Sequence, residues 1–577
     1  MVLLLVVHAL THLAFVQASF HNAFPDPPHR FTPPPPGTKF DAIVVGAGGG
    51  GLSAAAKLSL HGKKVLVLER APRIGGAWVT FNLTGDDGWS YRVDGSLHVL
   101  NAPAPANEIV ETDYFKFLQE TGAYEKLQWT PRRSIHRLVL DKEGKGREWT
   151  VFTDEEKLVS ELESKGFSGQ GGSIRALLNL TSNIVHEVDK ISDIMYTNST
   201  LTKAEEMAYL LTHCPELLKS MSQNTFDMCS KFIQNDDLRA ILTSPVMYCA
   251  VPENVLAGMM FAEMAGMWFK YGMTYPVGGS GAIAHHLAGY IEEQGGHILL
   301  NANVDGIYVD KEKFSKATAT GVSAEISGTQ LPPTRMDFHA PAIISDINLP
   351  ATMRLSGMPN WPEKFQKRVN AMNYSDSVFC VSMGLKNRSV LEKIQGDPEI
   401  LLADSLDMDE NFKRIHTGDM SFMDLNEYSQ VDPDCCDPKS VNRGAVALVL
   451  PVPMSVWATD PTEREQQKQI FAEKMIERAN GYLPGFNETI DRSTLMLVSP
   501  YEAQQWMGTP GGTEMGYLPD VHAMNFAEGV PKQNTPIQAL FQVGQFSFPG
   551  GGQPTVSQSG QTAAMMILNG VNMPKEH

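Results

Sequence analysis

The chain has 577 residues, with 47 Lys and Arg against 65 Asp and Glu and a formal net charge of −18 at pH 7. That length predicts two or three structural units with ample chain for a large core, and 42% apolar with 19% charged residues excludes a disordered polypeptide. The acidic balance excludes nucleic acid as a broad partner, because phosphate binding needs clustered Lys and Arg.

Residues 1–18 are apolar but interrupted by His8, Thr11 and His12, too short and too broken to span a bilayer. Val16-Gln17-Ala18 has the small-residue spacing of a cleavage site, so a signal peptide over 1–18 is expected. Pro25, Pro27, Pro28 and Pro33–Pro36 predict an extended, polyproline-like linker over 19–38. Phe20, in Ser19-Phe20-His21, resembles the signal-plus-transit leaders of algae whose plastids lie inside the endomembrane system. The expected address is therefore secretory entry (endoplasmic reticulum lumen or secretion), with a plastid reached through a bipartite leader as the alternative. Six Asn-x-Ser/Thr sequons, at Asn82, Asn179, Asn198, Asn373, Asn387 and Asn487, are compatible with a lumenal glycoprotein.

Phe40–Val45 is a short apolar run with the length and β-branching of a buried parallel strand. It opens into Gly46-Ala-Gly48-Gly-Gly-Gly51 and an Ala-rich helix. Gly46 permits the tight turn, Gly48 lets backbone approach a pyrophosphate, and Gly51 lets helix and strand pack closely. A second strand, Lys64–Glu69, ends in an acid 18 residues after Gly51, placed to bond an adenosine ribose hydroxyl. Strand, glycine turn, helix and terminal acid together satisfy the context that a bare glycine motif lacks. The continuation Glu69-Arg70-Ala-Pro-Arg73-Ile-Gly75-Gly76 resembles the FAD-binding signature of the flavin amine oxidase and phytoene desaturase superfamily. The resemblance implies that Arg70, Arg73, Gly75 and Gly76 lie over a flavin diphosphate.

From about 85 to 270 the expectation is mostly helix, with Glu155–Ser164, Ser173–Ser192 and Lys203–Phe232 as candidates. Met247, Met259, Met260, Met264, Met267 and Met273 crowd a segment with Phe261, Trp268 and Phe269, a set that suits either an elongated apolar ligand or a helical core. Tyr275-Pro-Val-Gly278-Gly-Ser-Gly281 then starts an amphipathic helix, and His297–Val304 a strand. His285 and His286 are adjacent on that helix, about 100° apart, which suits a partly exposed face better than a metal pair. This block resembles one of the phytoene desaturase and carotenoid isomerase family, which implies that Val304 touches adenine. Ala340–Asp346 is a further buried strand with a polar end.

Near the far end, Ala539–Gly544 reads as a strand, followed by a glycine turn and the helix Thr555–Leu568. It resembles the same family's C-terminal flavin block, which places Gly544 beside the ribityl chain and Thr555 and Val556 at a helix N-terminus facing the flavin pyrimidine. Tyr91–His98 resembles the Asp-x-Gly-x-His stretch of carotenoid isomerases and retinol saturases, with one extra residue before His98. His98 is accordingly either a proton donor near flavin or a structural histidine. The six cysteines lack metal spacing, and Cys435-Cys436, in an acidic proline-punctuated stretch, reads as a surface loop able to carry a disulfide rather than as a redox centre.

The expected fold is α/β: a Rossmann-like FAD-binding domain, discontinuous over 39–110, 273–350 and 531–577, with an inserted α+β substrate-binding domain formed by a helical Met-rich region, 111–272, and by 351–530. The resemblance implies an FAD-dependent oxidoreductase or isomerase of a carotenoid or retinoid polyene, moving hydride between flavin N5 and an allylic carbon. Its partner is an apolar small molecule, taken up through peripheral contact with a membrane surface. No metal is expected. The alternatives are a lumenal flavin oxidase of amines, prenyl thioethers or polyunsaturated fatty acids, and a flavin-free prenyl-lipid escort protein.

Overall fold

The computed structural model describes residues 20–95, 99–101, 113–142, 146–197, 203–311, 316–327, 333–436, 442–525 and 528–574. The leader expected over 1–18 and His98 lie outside these residues. The Rossmann-like α/β expectation is met by a five-stranded parallel sheet. Its strands are β1 (Ala42–Val45), β2 (Val65–Leu68), β3 (His297–Leu299), β4 (Ala342–Ser345) and β5 (Leu540–Gln542), in the order β3-β2-β1-β4-β5. Every residue of β1, β2, β4 and β5 is buried, as continuous apolar runs must be when helices cover both sheet faces.

Five helices frame the site: α1 (Gly49–Leu60), α2 (Gly171–Thr197), α3 (Gly258–Tyr271), α4 (Gly279–Glu293) and α5 (Gln553–Leu568). Helices α1 and α5 meet at backbone distance. A Cβ built at Gly560 would stand 2.2 Å from the Gly50 carbonyl oxygen, and Ser53 and Ser557 share a 2.9 Å hydrogen bond across the same contact. The register places Val45 opposite both Leu68 and Ser345, and Ser345 opposite Gln542. The residues that follow, Gly46, Glu69, Asp346 and Val543-Gly544, are therefore aligned along the carboxyl ends of the strands. Open α/β sheets bind ligands there.

A three-stranded antiparallel sheet, Ala302–Asp310, Thr318–Ile326 and Thr334–His339, is inserted between β3 and β4. The expected single strand 297–304 is thus two, divided at Asn301, whose φ of +53° turns the chain. A seven-stranded sheet forms the second body, in the order Ile490–Val498, Ser377–Leu385, Gly444–Val452, Phe422–Glu427, Glu399–Ala403, Ser134–Leu140 and Glu148–Phe152. The last two strands correct the mostly helical expectation for the middle of the chain. Their apolar residues complete a sheet built almost entirely from residues more than 200 positions downstream. The expected helix 155–164 is present as Glu155–Ser164, whereas 203–232 is three helices, Lys203–His213, Pro215–Met221 and Thr225–Cys229, broken at Pro215 and at the Asn224 cap.

The proline-rich stretch 19–38 departs from the expected free spacer over its described part. Phe20–Asn22 pairs antiparallel with Thr80–Thr84, and the Arg30 carbonyl accepts from Leu300 N–H at 2.8 Å. Arg30, 3% exposed, donates to both carboxylate oxygens of Glu292 at 2.9 and 2.8 Å and also pairs with Asp26. A guanidinium leaves water only when so matched. The segment is an arm clamped along the β3 edge. Cys435 and Cys436, expected on a surface loop, are buried free thiols, because Cys436 bridges to Tyr91 in the core between the two bodies.

Replacing Gly560 by Val should push α1 and α5 apart and cost about 1–3 kcal/mol, the usual penalty of overpacking. Gly289→Ala on α4, where an added methyl meets nothing within 4 Å, should be neutral or stabilising. Denaturant midpoints of the two variants test the pair.

Candidate active site

The carboxyl ends of the strands open onto a cavity of about 680 Å³. At one end stands the glycine turn. Gly46 adopts φ +101°, and a Cβ at Gly51 would lie 2.2 Å from the Gly46 carbonyl oxygen, so helix and strand pack as closely as the spacing predicts. A Cβ at Gly49 would meet the Trp78 indole at 2.3 Å. The N-cap of α1 is Gly48, which has no side chain to cap the helix, and the Asp346 carboxylate faces the Gly48 and Gly51 amides from β4. Gly48, Gly49 and Gly50 all line the cavity, so amides that a helix leaves unsatisfied are presented to it. Such an end, with its share of the helix dipole, is a site for an anion.

Glu69 closes this end. Its carboxylate accepts from Ala47 N–H and Ala71 N–H, each at 2.8 Å, while burial pushes its pKa up. Val304, on the strand beginning at Ala302, lines the same cavity, and Ala302 N–H donates to the Glu69 carbonyl at 2.8 Å. Gly75 and Gly76 take φ of +104° and +59°, folding the chain back so that Gly75 N–H reaches the Ala47 carbonyl at 2.8 Å. Arg70 donates to the carbonyls of Gln505 and Trp506 at 3.0 and 2.7 Å. The Arg73 guanidinium lies 3.8 Å over the Trp506 ring; burial lowers its pKa, and its buried Nε has no hydrogen-bond partner.

A second helix N-terminus meets the cavity. Helix α5 starts after Gly552 with no capping side chain, and Gly551, Gly552, Thr555 and Val556 are cavity-lining residues. Gly544, at φ +81°, lies between the two helix ends and donates to Ser559 Oγ at 2.9 Å. The Tyr114 hydroxyl and the Gln553 side chain face each other at this end of the cavity. Asp94 explains the nearby Asp94-Gly95 pair: its carboxylate accepts from Ser280 N–H and Ser280 Oγ and so caps α4 in the Tyr-Pro-x-Gly-Gly turn.

Beyond these polar groups the cavity continues between α2, α3 and the seven-stranded sheet. On α3 the lining residues are Met260, Glu263, Met264, Met267 and Trp268, one face at helical spacing. Val185 and Val188 on α2 extend that wall. The opposite wall is one cross-strand row of the sheet, Val498, Cys380, Val449 and Asp424, whose registered pairs present side chains to the same face. Val378, Pro451 and Met496 flank it. The glycine-lined polar end and the apolar chamber are thus parts of one cavity.

The sequence profile of an NAD(P)-binding Rossmann-like domain matches residues 44–116. All-trans-retinol 13,14-reductase of Danio rerio is 22% identical over 533 residues, covering 88% of this chain and 82% of its own. The chloroplastic prolycopene isomerase of Arabidopsis thaliana is 24% identical over 550 residues, covering 93% and 84%. The chain is thus similar, over most of its length, to retinol reductases and prolycopene isomerases. Cyclohexylamine oxidase from Brevibacterium oxydans shares the fold, with a TM-score of 0.55 at 15% identity over 92% of this chain and 100% of that one.

The structure gathers Gly46, Gly48, Glu69, Arg70, Arg73, Gly76, Val304, Gly544, Thr555 and Val556 around one cavity, although they come from both ends and the middle of the chain. Gly51 and Gly75 act behind the lining, as packing and turn residues. The methionine cluster divides: Met247, Met260, Met264 and Met267 line the chamber, whereas Met259, Phe261 and Met273 are core. The His285 ring is tilted against Phe24 with centroids 5.5 Å apart, and His286 contacts the Thr121 carbonyl at 3.0 Å. Trp78, Trp506, Gln553 and the sheet row carry no sequence signal, since only tertiary folding brings them here. Asp346 is marked in the sequence only as the polar end of a strand.

Burial lifts the Cys380 thiol to about 11 and the Cys249 thiol to about 12. Only the thiolate reacts, so at pH 8 about one Cys380 thiol in a thousand is reactive. Iodoacetamide should label both residues slowly at pH 8, with a rate climbing roughly tenfold per pH unit up to pH 10. Peptide mass spectrometry gives the rates; fast, pH-independent labelling would contradict the apolar chamber.

Proposed function

We propose that this protein binds FAD and oxidises, reduces or isomerises a long apolar polyene, a carotenoid or retinoid. The observation that carries the reading is the continuity of the cavity, from two helix N-termini that start at glycine to a chamber walled by Met, Val and Trp side chains. The residues present fit the cofactor: the glycine-started N-terminus of α1 for the diphosphate, the Glu69 carboxylate for the ribose, an unpartnered Arg73 Nε, and glycines wherever a Cβ would fill the cradle. When bound, the flavin supplies exchange of a hydride between its N5 and an allylic carbon.

The chain's own residues position and desolvate. The α1 amides neutralise diphosphate charge without a strong cation, and the α5 N-terminus favours negative charge at whatever polar edge it faces. Met260, Met264 and Met267 mould to a rod-like substrate, since thioethers adapt to irregular apolar shapes. Val498, Cys380, Val449 and Asp424 bound the opposite side and exclude water from the reacting carbons. The retinol reductase and prolycopene isomerase names of the relatives support the polyene. The chloroplastic designation of the isomerases supports the plastid alternative over secretion.

An amine oxidase is the second reading. Glu263, Asp424 and Glu514 line the cavity, and among the described residues no lysine or histidine does, an arrangement compatible with an ammonium group. Anaerobic incubation with candidate polyenes and amines separates the readings. Loss of the flavin's visible absorbance with a chromatographically altered polyene is expected, and bleaching by amines alone would overturn the polyene assignment.

Gly48→Val should leave soluble protein with flavin occupancy below about a tenth of wild type, since only a hydrogen fits beside the pyrophosphate. The added Cβ would lie 2.6 Å from Asp346 Oδ2. Stoichiometric flavin in that variant would contradict the placement of the phosphate.

A further inference from the structure

Asp346 follows β4 in the middle of the aligned strand ends, where its N–H donates to the Val45 carbonyl at 2.8 Å. Its carboxylate rises between the glycine turn and β5. A Cβ at Gly48 would lie 2.6 Å from Oδ2, and Cβ atoms at Gly50 and Gly544 would lie 2.6 and 2.4 Å from Oδ1. Three glycines of the dinucleotide site are thus required by this one side chain. The amides of Gly48 and Gly51 face the carboxylate, so a carboxylate shares the helix end that the fold aims at a diphosphate. One set of amides then serves two anions.

We propose that Asp346 makes capture of the dinucleotide proton-coupled: the free protein holds the carboxylate ionised against the α1 amides, and binding of the diphosphate proceeds with uptake of one proton by that carboxylate. The balance is simple. Carboxylate, proton and dinucleotide combine to give the neutral acid beside bound diphosphate, with no bond to the ligand and no redox change.

The surroundings leave this acid poised to titrate. Burial and the nearby Glu69 charge raise it, the Gly48 and Gly51 amides lower it, and it settles at about 7. From β2, Glu69 is the charged group that acts on it; from β5, Gly544 brings none; and Asn348 beyond it is neutral, donating to the Gly508 carbonyl at 2.8 Å. Arg70 and Arg73 line the same end, but the first is engaged by carbonyls and the second lies on Trp506. Arg354, on the helix Leu349–Leu355, also lines the cavity. A diphosphate beside Asp346 raises its pKa further, so the sign is fixed: affinity is constant below about pH 7 and falls as pH rises above it.

The proposal rests on the flavin reading of the site. Its test is titration of FAD into the full chain, freed of flavin, from pH 6 to pH 9, read by flavin fluorescence. Kd should be level to about pH 7 and then rise roughly tenfold per pH unit. Asp346→Asn should bind FAD with a level Kd throughout, whereas Glu69→Gln, which removes a charge that raises Asp346, should start the rise at lower pH. Independently of any variant, calorimetry at pH 8 in two buffers of different ionisation heat should show uptake of about one proton. A level wild-type profile, no proton uptake, or an unchanged slope in Asp346→Asn overturns the coupling while leaving FAD binding intact. Absence of FAD binding at every pH instead overturns the flavin reading.

Discussion

The N-terminus of α1 starts at a glycine that cannot cap its own helix, and the architecture around it follows from that fact. A helix end leaves several amides unsatisfied, and burying them without partners costs about 1–3 kcal/mol each. Here no side chain of the turn itself fills the end: Gly48 has none, Trp78 covers Gly49, α5 presses on Gly50, and Gly51 lies against the Gly46 carbonyl. What remains are Asp346 from below and the cavity from above. The strand ends align because the register places Val45, Leu68, Ser345 and Gln542 level, and so Gly46, Glu69, Asp346 and Gly544 lie together at one end of the cavity.

This arrangement also explains how a strongly acidic protein can hold an anionic ligand. The fixed partial charges are backbone amides at two helix ends, supported by an arginine that burial and a tryptophan face hold in place. Lysine plays no part in the cavity wall among the described residues. The apolar chamber follows from different physics. Period-3.6 spacing puts Met260, Met264, Met267 and Trp268 on one side of α3, and sheet register puts Val498, Cys380, Val449 and Asp424 in a row opposite. Helix and sheet face each other across the cavity rather than in contact.

Local chemistry was legible from residues alone. Strand, glycine turn, helix and terminal acid needed no partner to be recognised, and each of those residues stands where the spacing put it. The C-terminal glycine turn and the Tyr275–Gly281 block were legible for the same reason. The sheet wall was not, because Cys380, Val449, Asp424 and Val498 are ordinary members of separate apolar strands until register makes them neighbours. Ser134–Leu140 was missed because its apolar run is completed by Glu399–Ala403, more than 250 residues away. Arg30 reads as one charge in a proline tract, and only Glu292 and Asp26 make it a clamp. The methionines were legible as a group but not one by one, since composition does not say which side of a helix meets a cavity.

The central claim is that cofactor and apolar ligand occupy one continuous cavity together. Native mass spectrometry of the purified full chain, before and after addition of a polyene, tests it most directly. The account predicts a species of one polypeptide with one FAD, shifting on addition to one polypeptide with one FAD and one polyene. A protein that carries the polyene only after losing FAD, or never carries FAD, would contradict it.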